Sequence, residues 1–473
     1  MPSTPSQPTV AVAGGGLAGL ATACALSDAG FRVTLFEKRP FLGGRASSYE
    51  HPGTGEVVDN CQHVLFRSCT NLIEFYHRIG VVDQIRWFDQ MNFIEPGGRI
   101  SVMKSSFLPA PLHTAPSFFN FSFLRVADKL SIARALAPLT LTQQRDTGQS
   151  FQHWLDRHGQ TEHAVTRFWR PILVSALSEE LDRISISAAA QVVRESMKSP
   201  AARQMGVPTV PLTNLYNAAG DYVRTRGGVL HFRRPVEGFV SESSQVRVGL
   251  SDAEEPFDFL VVALPFEALD RLLPDRAESN PLREQLSHFE TSPITGIHMW
   301  FDRQISDLDH AVLLDRTVQW MFHKSRLQPI RTQATNGTGS GAAGGSYIEL
   351  VVSSSKTLID RSRAEIVDLA LTEVREFFPA SREASLVKAT VIKEVNATYS
   401  PRPGIDAYRP GPVTPWPRVF LAGDWTATGW PATMEGAVRS GHLAAEALAR
   451  GAGHEAQFLS PDLTATGFMR IFS

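Results

Sequence analysis

A glycine-rich turn near the N-terminus constrains the fold of this chain more than any other feature. Gly14, Gly16 and Gly19 follow a short apolar strand predicted over residues 10–13, in Gly-x-Gly-x-x-Gly spacing. Glu37 ends the next predicted strand, at the distance expected for one βαβ unit. In such a unit the glycines allow a tight turn next to a pyrophosphate, and the acidic residue accepts hydrogen bonds from a ribose. The sequence therefore predicts a Rossmann-like dinucleotide-binding domain.

A second motif, Gly43-Gly44-Arg45, follows the second strand and Lys38. Its glycines permit another close approach of the backbone to a ligand, and an arginine offers a fork of donors to phosphate or ribose oxygens. A glycine turn with a solvated arginine would be an ordinary loop if it stood alone. Beside the first motif it indicates a second contact to the dinucleotide.

A third motif lies near the other end of the chain. An apolar strand ends at Gly423 and Asp424, and a helix is predicted just after Pro431, with Thr433 and Met434 at its start. The N-terminus of a helix is electropositive and favours negative charge on a ligand.

Together the three motifs resemble the FAD-binding signatures of the flavoprotein superfamily of amine oxidases, protoporphyrinogen oxidases and carotenoid desaturases. The resemblance implies an α/β fold with a discontinuous Rossmann-like FAD-binding domain of glutathione-reductase type and an inserted α+β substrate domain. It also implies bound FAD, held by Gly14, Gly16, Gly19, Glu37, Lys38, Gly44, Arg45, Val236, Gly423, Asp424, Thr433 and Met434.

The sequence also predicts the domain organisation of the chain. The FAD-binding domain is expected to comprise residues 1–89, 206–292 and 396–452. Residues 90–205 are predicted to be a mainly helical part of the substrate domain, residues 293–395 a sheet with one helix, and residues 453–473 a C-terminal tail. A Gly/Ala/Ser/Thr-rich stretch at 333–346 is predicted to be a flexible loop.

Composition narrows the class of protein. The 473 residues are 43% hydrophobic, and the net charge of -2 gives no electrostatic case for nucleic acid. Three cysteines at uninformative spacing favour a reducing compartment, and no metal-binding pattern emerges from them or from the histidines. Because neither a signal peptide nor an apolar run of membrane-spanning length is evident, we expect a cytoplasmic protein.

Residues 107–124 combine clustered phenylalanines and prolines, and Arg125 and Lys129 follow. One interpretation is an interfacial patch that contacts a bilayer, peripherally on the inner face of the cell membrane, and opens a path for a lipid. The other is an ordinary core of a helical domain. The sequence favours neither.

Residues 59–65, residues 168–179 and the aromatic stretch resemble the hydroxysqualene dehydroxylases, within the same superfamily. Cys61 and Ser178 depart from the glycine and asparagine expected there. The resemblance implies a hydrophobic C30 isoprenoid substrate, whose allylic hydroxyl is removed reductively to give squalene for hopanoid synthesis, with hydride from FADH2. A carotenoid-type desaturase and a flavin amine oxidase remain alternatives.

That reaction needs a proton donor at the departing hydroxyl. His63 is the first candidate, with Asp59 to orient it, and Glu179 is the second. An isolated histidine is more often a structural residue. Only one Rossmann fingerprint is present, so the sequence does not identify the electron donor.

Overall fold

Two large sheets organise the chain in a computed structural model, which describes residues 7–328 and 345–472. The predicted loop at 333–346 therefore lies, up to residue 344, outside the described residues. The strands are β1 Thr9–Ala13, β2 Arg32–Glu37, β3 Ser48–Glu50, β4 Val57–Asp59, β5 Leu65–Phe66, β6 Ile85–Phe88, β7 Gln90–Ile94, β8 Ile100–Lys104, β9 Met205–Pro208, β10 Val229–Phe232, β11 Val236–Ser241, β12 Val246–Leu250, β13 Glu254–Phe257, β14 Phe259–Val262, β15 Thr291–Phe301, β16 His310–Leu313, β17 Trp320–His323, β18 Ser346–Ser353, β19 Leu386–Tyr399 and β20 Val419–Leu421.

The α-helices connect and cover these strands. They are α1 Leu17–Asp28, α2 Thr70–Arg78, α3 Ala115–Phe119, α4 Val126–Leu141, α5 Phe151–Arg157, α6 Glu162–Ala164, α7 Arg170–Leu177, α8 Ile186–Met197, α9 Leu212–Thr225, α10 Phe266–Leu272, α11 Asn280–Ser287, α12 Lys324–Leu327, α13 Arg363–Phe377 and α14 Met434–Gly451. A π-helical turn, Val165–Trp169, leads into α7.

The first sheet is parallel and has the strand order β10-β2-β1-β14-β20. Its central strands are apolar and buried on both faces, as parallel strands generally are. Helices α1, α9 and α14 cover one face, and the antiparallel sheet β11-β12-β13 with α10 and α11 covers the other. The Rossmann-like α/β fold is confirmed, and its strands come from the beginning, the middle and the end of the chain.

The second sheet has the order β19-β15-β18-β17-β16-β7-β8 and is antiparallel except for the pair β16 and β7. Helix α13 packs on one face through Ile366, Ala370 and Val374. Strands β7 and β8 belong to residues 90–205, which the sequence predicted to be mainly helical. The rest of this segment is largely helical, from α3 to α8, so the prediction missed only the local β7–β8 hairpin, which joins the second sheet through β16.

The two ends of the chain pack together where α14 crosses α1. A Cβ atom added to Gly441 would lie 2.4 Å from the carbonyl oxygen of Ala18, and the hydroxyl of Thr22 donates to the carbonyl oxygen of Gly441 at 3.1 Å. Only glycine permits this close approach of the two backbones.

We predict that Gly441→Ala destabilises the protein, although the same change in an open helix is stabilising by about 1 kcal/mol. The added methyl group must push the helices apart, at a cost of about 1–3 kcal/mol in the free energy of unfolding. Thermal and urea unfolding would measure the change. Gly411→Ala is the matched control, because nothing lies within 4 Å of the added methyl. Equal stability of the two variants would contradict the prediction.

Candidate active site

The glycine motifs contact each other at the carboxyl end of the parallel sheet. A Cβ atom on Gly19 would lie 1.9 Å from the carbonyl oxygen of Gly14, and one on Gly44 would lie 2.9 Å from the Cα atom of Gly16. Gly44 also has a φ of +60°, which favours glycine. The two turns therefore form one cradle of bare backbone, into which a bulky phosphate group can fit.

Glu37 closes the cradle at the end of β2. One carboxylate oxygen accepts from the backbone N–H of Gly15 at 2.7 Å, and the other accepts from the N–H of Arg39 at 2.7 Å. A carboxylate has about four acceptor positions, so Glu37 keeps capacity for ribose hydroxyls. Its backbone bonds fix the direction in which the carboxylate points.

Arg45 and Asp424 come from opposite ends of the chain and pair at 2.5 Å. The guanidinium of Arg45 also donates to the carbonyl oxygen of Ala397 at 2.9 Å. Both side chains line the cavity described below. The sequence predicted a separate contact to the ligand for each residue, whereas the structure joins them in one ion pair beside the cradle.

The start of α14 faces the same cavity. The hydroxyl of Thr433 accepts from the N–H of Gly436 at 3.0 Å and so caps the helix. The next residue, Met434, lines the cavity, and its Sδ atom accepts from the hydroxyl of Tyr216 at 3.5 Å. The uncapped N–H groups of the first turn leave partial positive charge at this end of the helix.

One cavity of about 1090 Å³ joins the glycine cradle to the second sheet. Its lining includes Gly14, Gly16, Glu37, Lys38, Gly44, Arg45, Val236, Gly423, Asp424, Thr433 and Met434. Gly19 acts indirectly, by bringing α1 close to the turn. Its volume lies just above the range of about 300–1,000 Å³ that is usual for pockets of single small ligands.

The far half of the cavity is apolar and aromatic. The π-helical turn contributes Phe168 and Trp169, and β17 contributes Trp320 and Phe322. The indole N–H of Trp320 donates to the hydroxyl of Ser175 at 2.9 Å, which fixes that ring against α7. Residues 320 and 322 carry no local signal of function, because only the alternation of the folded strand turns both toward the cavity.

The family model described as flavin containing amine oxidoreductase matches residues 17–449. The chain belongs to that family. Over 466 residues it is 28% identical to the 15-cis-phytoene desaturase of Synechococcus elongatus, covering 93% of this chain and 95% of the relative. It is also 28% identical to a probable zeta-carotene desaturase of the same organism, covering 93% and 98%. A solved oxidoreductase from Methanosarcina mazei shares the fold with a TM-score of 0.69, at 16% identity, over 92% and 98% of the two chains.

In this flavin-containing amine oxidoreductase the cofactor is FAD, as the sequence predicted. The cradle fits that group, because three glycines leave open the space that Cβ atoms would fill and a helix N-terminus faces the same cavity. Arg45 and Asp424, with the start of α14, would hold the flavin half, and Glu37 the adenosine half. The individual contacts to FAD stay predictions.

His63 lies in the loop after β4 and lines the cavity. Its Nδ1 atom is 2.8 Å from the carbonyl oxygen of Cys61, so the ring donates there and presents Nε2 as an acceptor. Burial lowers the pKa of His63, and the bond to Cys61 offsets this only in part. Neutral imidazole is therefore the main form near pH 7, and a proton-donor role stays a prediction confined to lower pH.

The carboxylate of Asp59, which was predicted to orient His63, contacts three other groups. It accepts from Ser48 at 2.5 Å, from the N–H of Leu212 at 3.1 Å and from Lys324 at 2.6 Å. The orienting bond to His63 comes from a backbone carbonyl instead. These bonds anchor the start of the loop, and the role of Asp59 in orienting His63 stays a prediction, since its charge acts on the pKa of His63.

Lys324 is a further residue beside the functional site that the sequence analysis missed. The fully buried ammonium group donates to Gln62 at 2.7 Å and pairs with Asp59 and, at 3.3 Å, with Glu349. The amide of Gln62 in turn donates to the carbonyl oxygen of His63 at 2.9 Å. Lys324 therefore positions the loop that faces the cavity. No motif surrounds it in the sequence, since its partners lie up to 265 residues away.

The surroundings of Glu179 also differ from those expected of a proton donor at the cavity. Glu179 is fully buried, pairs with Lys356 at 2.5 Å and accepts from the hydroxyl of Ser400 at 2.5 Å. Burial raises its pKa, but these hydrogen bonds outweigh burial and lower it overall. Glu179 is not among the residues that line the cavity. An ionised carboxylate in that place joins segments of the chain and does not donate a proton to substrate.

Ser178, where asparagine was expected, ends α7 with a φ of +52°. Asparagine tolerates this left-handed conformation better than serine does, which explains the expectation. The hydroxyl of Ser178 accepts from the N–H of Ser354 at 3.3 Å and so secures the turn. Cys61, where glycine was expected, also lines the cavity. The backbone carbonyl of Cys61 accepts from the ring of His63, and any residue at this position could supply that carbonyl.

If His63 donates the proton, we predict that turnover depends on His63 at low pH, where its imidazole is protonated. Turnover by pre-reduced enzyme would then be greatest at low pH and would be lost as pH rises through a midpoint below about 6.5, the ordinary histidine value. The pH profile of kcat/KM for the wild type and His63→Gln measures this. His153→Gln, at an exposed histidine, is the control. A profile that instead rises with pH, and loses that rise in His63→Gln, would identify His63 as a proton acceptor.

Proposed function

We propose that this FAD-dependent oxidoreductase removes the allylic hydroxyl of hydroxysqualene reductively and forms squalene. The observation that carries the proposal is the single cavity, in which a cofactor cradle opens into an apolar, aromatic chamber. Such a chamber suits a long isoprenoid and not a small charged amine. The resemblance of residues 59–65 and 168–179 to hydroxysqualene dehydroxylases supports the choice of substrate.

In this reaction the allylic C–O bond breaks, a C–H bond forms at the same allylic system, and the oxygen leaves as water after taking up a proton. Bound FAD, in its reduced form, would supply the hydride. The chain itself excludes water from the electron-deficient carbon, because Phe168, Ile172 and Phe322 line the chamber. Trp169 and Trp320 also line the chamber, and an indole face turned toward the substrate would favour positive charge there.

A carotenoid-type desaturase is the second candidate. Two observations favour it: the similar relatives bear desaturase names, and the neutral imidazole of His63 suits a proton acceptor. A desaturase would take two hydrogens from a saturated C–C bond of its substrate, and the flavin would be used in its oxidised form. The two reactions therefore differ in the direction of electron flow.

We predict that photoreduced enzyme, mixed anaerobically with hydroxysqualene, forms squalene with matching reoxidation of the flavin. Oxidised enzyme mixed with phytoene is the opposite arm. Flavin absorbance and chromatography of the extracted lipids follow both reactions. No reoxidation in the first arm, together with flavin reduction and desaturated product in the second, would replace the dehydroxylase proposal with the desaturase.

We also propose that the mouth of the chamber rests on a membrane. Phe118, Phe121 and Phe123 are core residues, so that half of the aromatic stretch is ordinary packing. Phe107 and Phe119, however, are 97% and 58% exposed, and Phe119 lines the cavity. Across residues 7–328 and 345–472, no helix is long and apolar enough to span a bilayer. Contact would therefore be peripheral.

The C-terminal residues extend the same surface. The N–H of Phe468 donates to the carbonyl oxygen of Ala110 at 2.8 Å, which holds a short helical turn, Gly467–Ile471, against the aromatic stretch. Phe468 is 52% and Ile471 75% exposed. Lys129, beside this surface, donates to the carbonyl oxygen of Phe119 at 2.7 Å. Apolar side chains next to a cation suit a bilayer that contains anionic lipid.

We predict that the triple variant Phe107→Ser, Leu112→Ser, Phe119→Ser floats at least tenfold less with phosphatidylglycerol-containing vesicles than the parent does. Each lost side chain removes about 1.5–3 kcal/mol of apolar burial in the bilayer. Val387→Ser, Val395→Ser, Val413→Ser is the control, because these valines are also exposed but lie elsewhere. Equal flotation of the parent and the first variant would contradict the membrane proposal.

A further inference from the structure

Arg203 places a positive charge in the apolar chamber. Within residues 90–205 and the described parts of 293–395, the cavity is lined by two charged side chains, Glu195 and Arg203. Glu195 pairs with Lys198 at 2.6 Å. No carboxylate among residues 7–328 and 345–472 pairs with Arg203. A cation in these surroundings is costly unless a ligand or water compensates it.

The neighbours of Arg203 are poor hydrogen-bond acceptors. The hydrogen bond recorded for its guanidinium goes to the Sδ atom of Met103, a weak acceptor. Burial lowers the pKa of Arg203 to about 10, so the group still carries its charge near pH 7. Phe118, Met197 and Ala115 are further apolar residues of the same lining. Arg203 is half-buried, and with one weak acceptor recorded for its side chain most of its five N–H donors are open to water or to a ligand.

His113 offers no compensation. It is fully buried, and neither ring nitrogen has a hydrogen-bond partner in the described part of the chain. Burial, and then the charge of Arg203, lowers the pKa of His113 to about 4, so the ring is neutral near pH 7. Its neighbours Leu112 and Thr114 line the cavity. Arg203 thus lines the chamber, whereas the neutral imidazole of His113 is buried outside the lining, within range of the charge on Arg203.

We propose that Arg203 is a donor site for an oxygen atom carried by an otherwise apolar isoprenoid ligand. The oxygen is a hydrogen-bond acceptor, which belongs either to the alcohol of the substrate or to the carbonyl of an isoprenoid quinone acting as redox partner. This inference rests on the proposed function only in taking the ligand to be an isoprenoid. A pure hydrocarbon would leave the guanidinium donors unpaired, and sites that hydrogen-bond a ligand oxygen reject analogues without it.

The test compares three ligands that differ in oxygen content: hydroxysqualene, squalene and decyl-ubiquinone. Each is titrated into oxidised holoenzyme in detergent, and the change in flavin fluorescence gives Kd. We expect the wild type to bind at least one of the two oxygenated ligands about tenfold more tightly than squalene, as one charge-assisted hydrogen bond allows. Arg203→Met should remove that preference and leave squalene binding unchanged, and Arg203→Lys should restore part of it.

Arg157→Met is the matched control, because Arg157 is exposed and does not line the cavity. Selective loss of hydroxysqualene binding in Arg203→Met would assign the site to substrate, and selective loss of quinone binding would assign it to a redox partner. Equal weakening of all three ligands, or no change for either oxygenated ligand, would overturn the proposal. Wild-type turnover is measured separately, so failure to form squalene would reject the proposed function without deciding the role of Arg203.

Discussion

The close approach of α1 and α14 is the constraint on which the rest of the structure depends. It brings the first and last parts of the chain to within a backbone contact at Gly441, and it places β20 beside β14 in the parallel sheet. The pairing of Arg45 with Asp424 is a consequence, since the two residues are 379 positions apart. Without this closure the wall opposite the glycine cradle, which carries Asp424 and the start of α14, would not exist.

The two halves of the cavity are built on different physical principles. The cofactor half uses bare backbone, a helix N-terminus and a carboxylate with a fixed direction, which together suit phosphates and hydroxyl groups. The chamber uses apolar and aromatic side chains from a sheet and from helices α3, α4, α7 and α8. Because both halves share one volume, a long apolar ligand can reach the cofactor without crossing water.

Two cations near the cavity, Lys324 and Arg203, have different surroundings. Lys324 is surrounded by Asp59, Gln62 and Glu349, and its bonds hold the loop of His63 in place. Such a satisfied cluster fixes geometry, as fully bonded buried networks do. Arg203 has no comparable set of partners within the described residues. This contrast separates a cation that supports the fold from one that is available to a ligand.

The sequence by itself determined the cofactor, the Rossmann-like fold and the discontinuous domain, because glycine turns, strand ends and helix starts are local and carry their geometry with them. For that reason Gly14, Gly44, Glu37 and Thr433 could be assigned to one site, and all four line the same cavity. Only the tertiary structure decided the state of His63 and the partners of Asp59 and Glu179, since burial and ion pairing depend on residues hundreds of positions away. It also revealed Lys324 and Arg203, which no motif marks. A motif can be read along the chain, but the charge and hydration of a side chain depend on the whole fold.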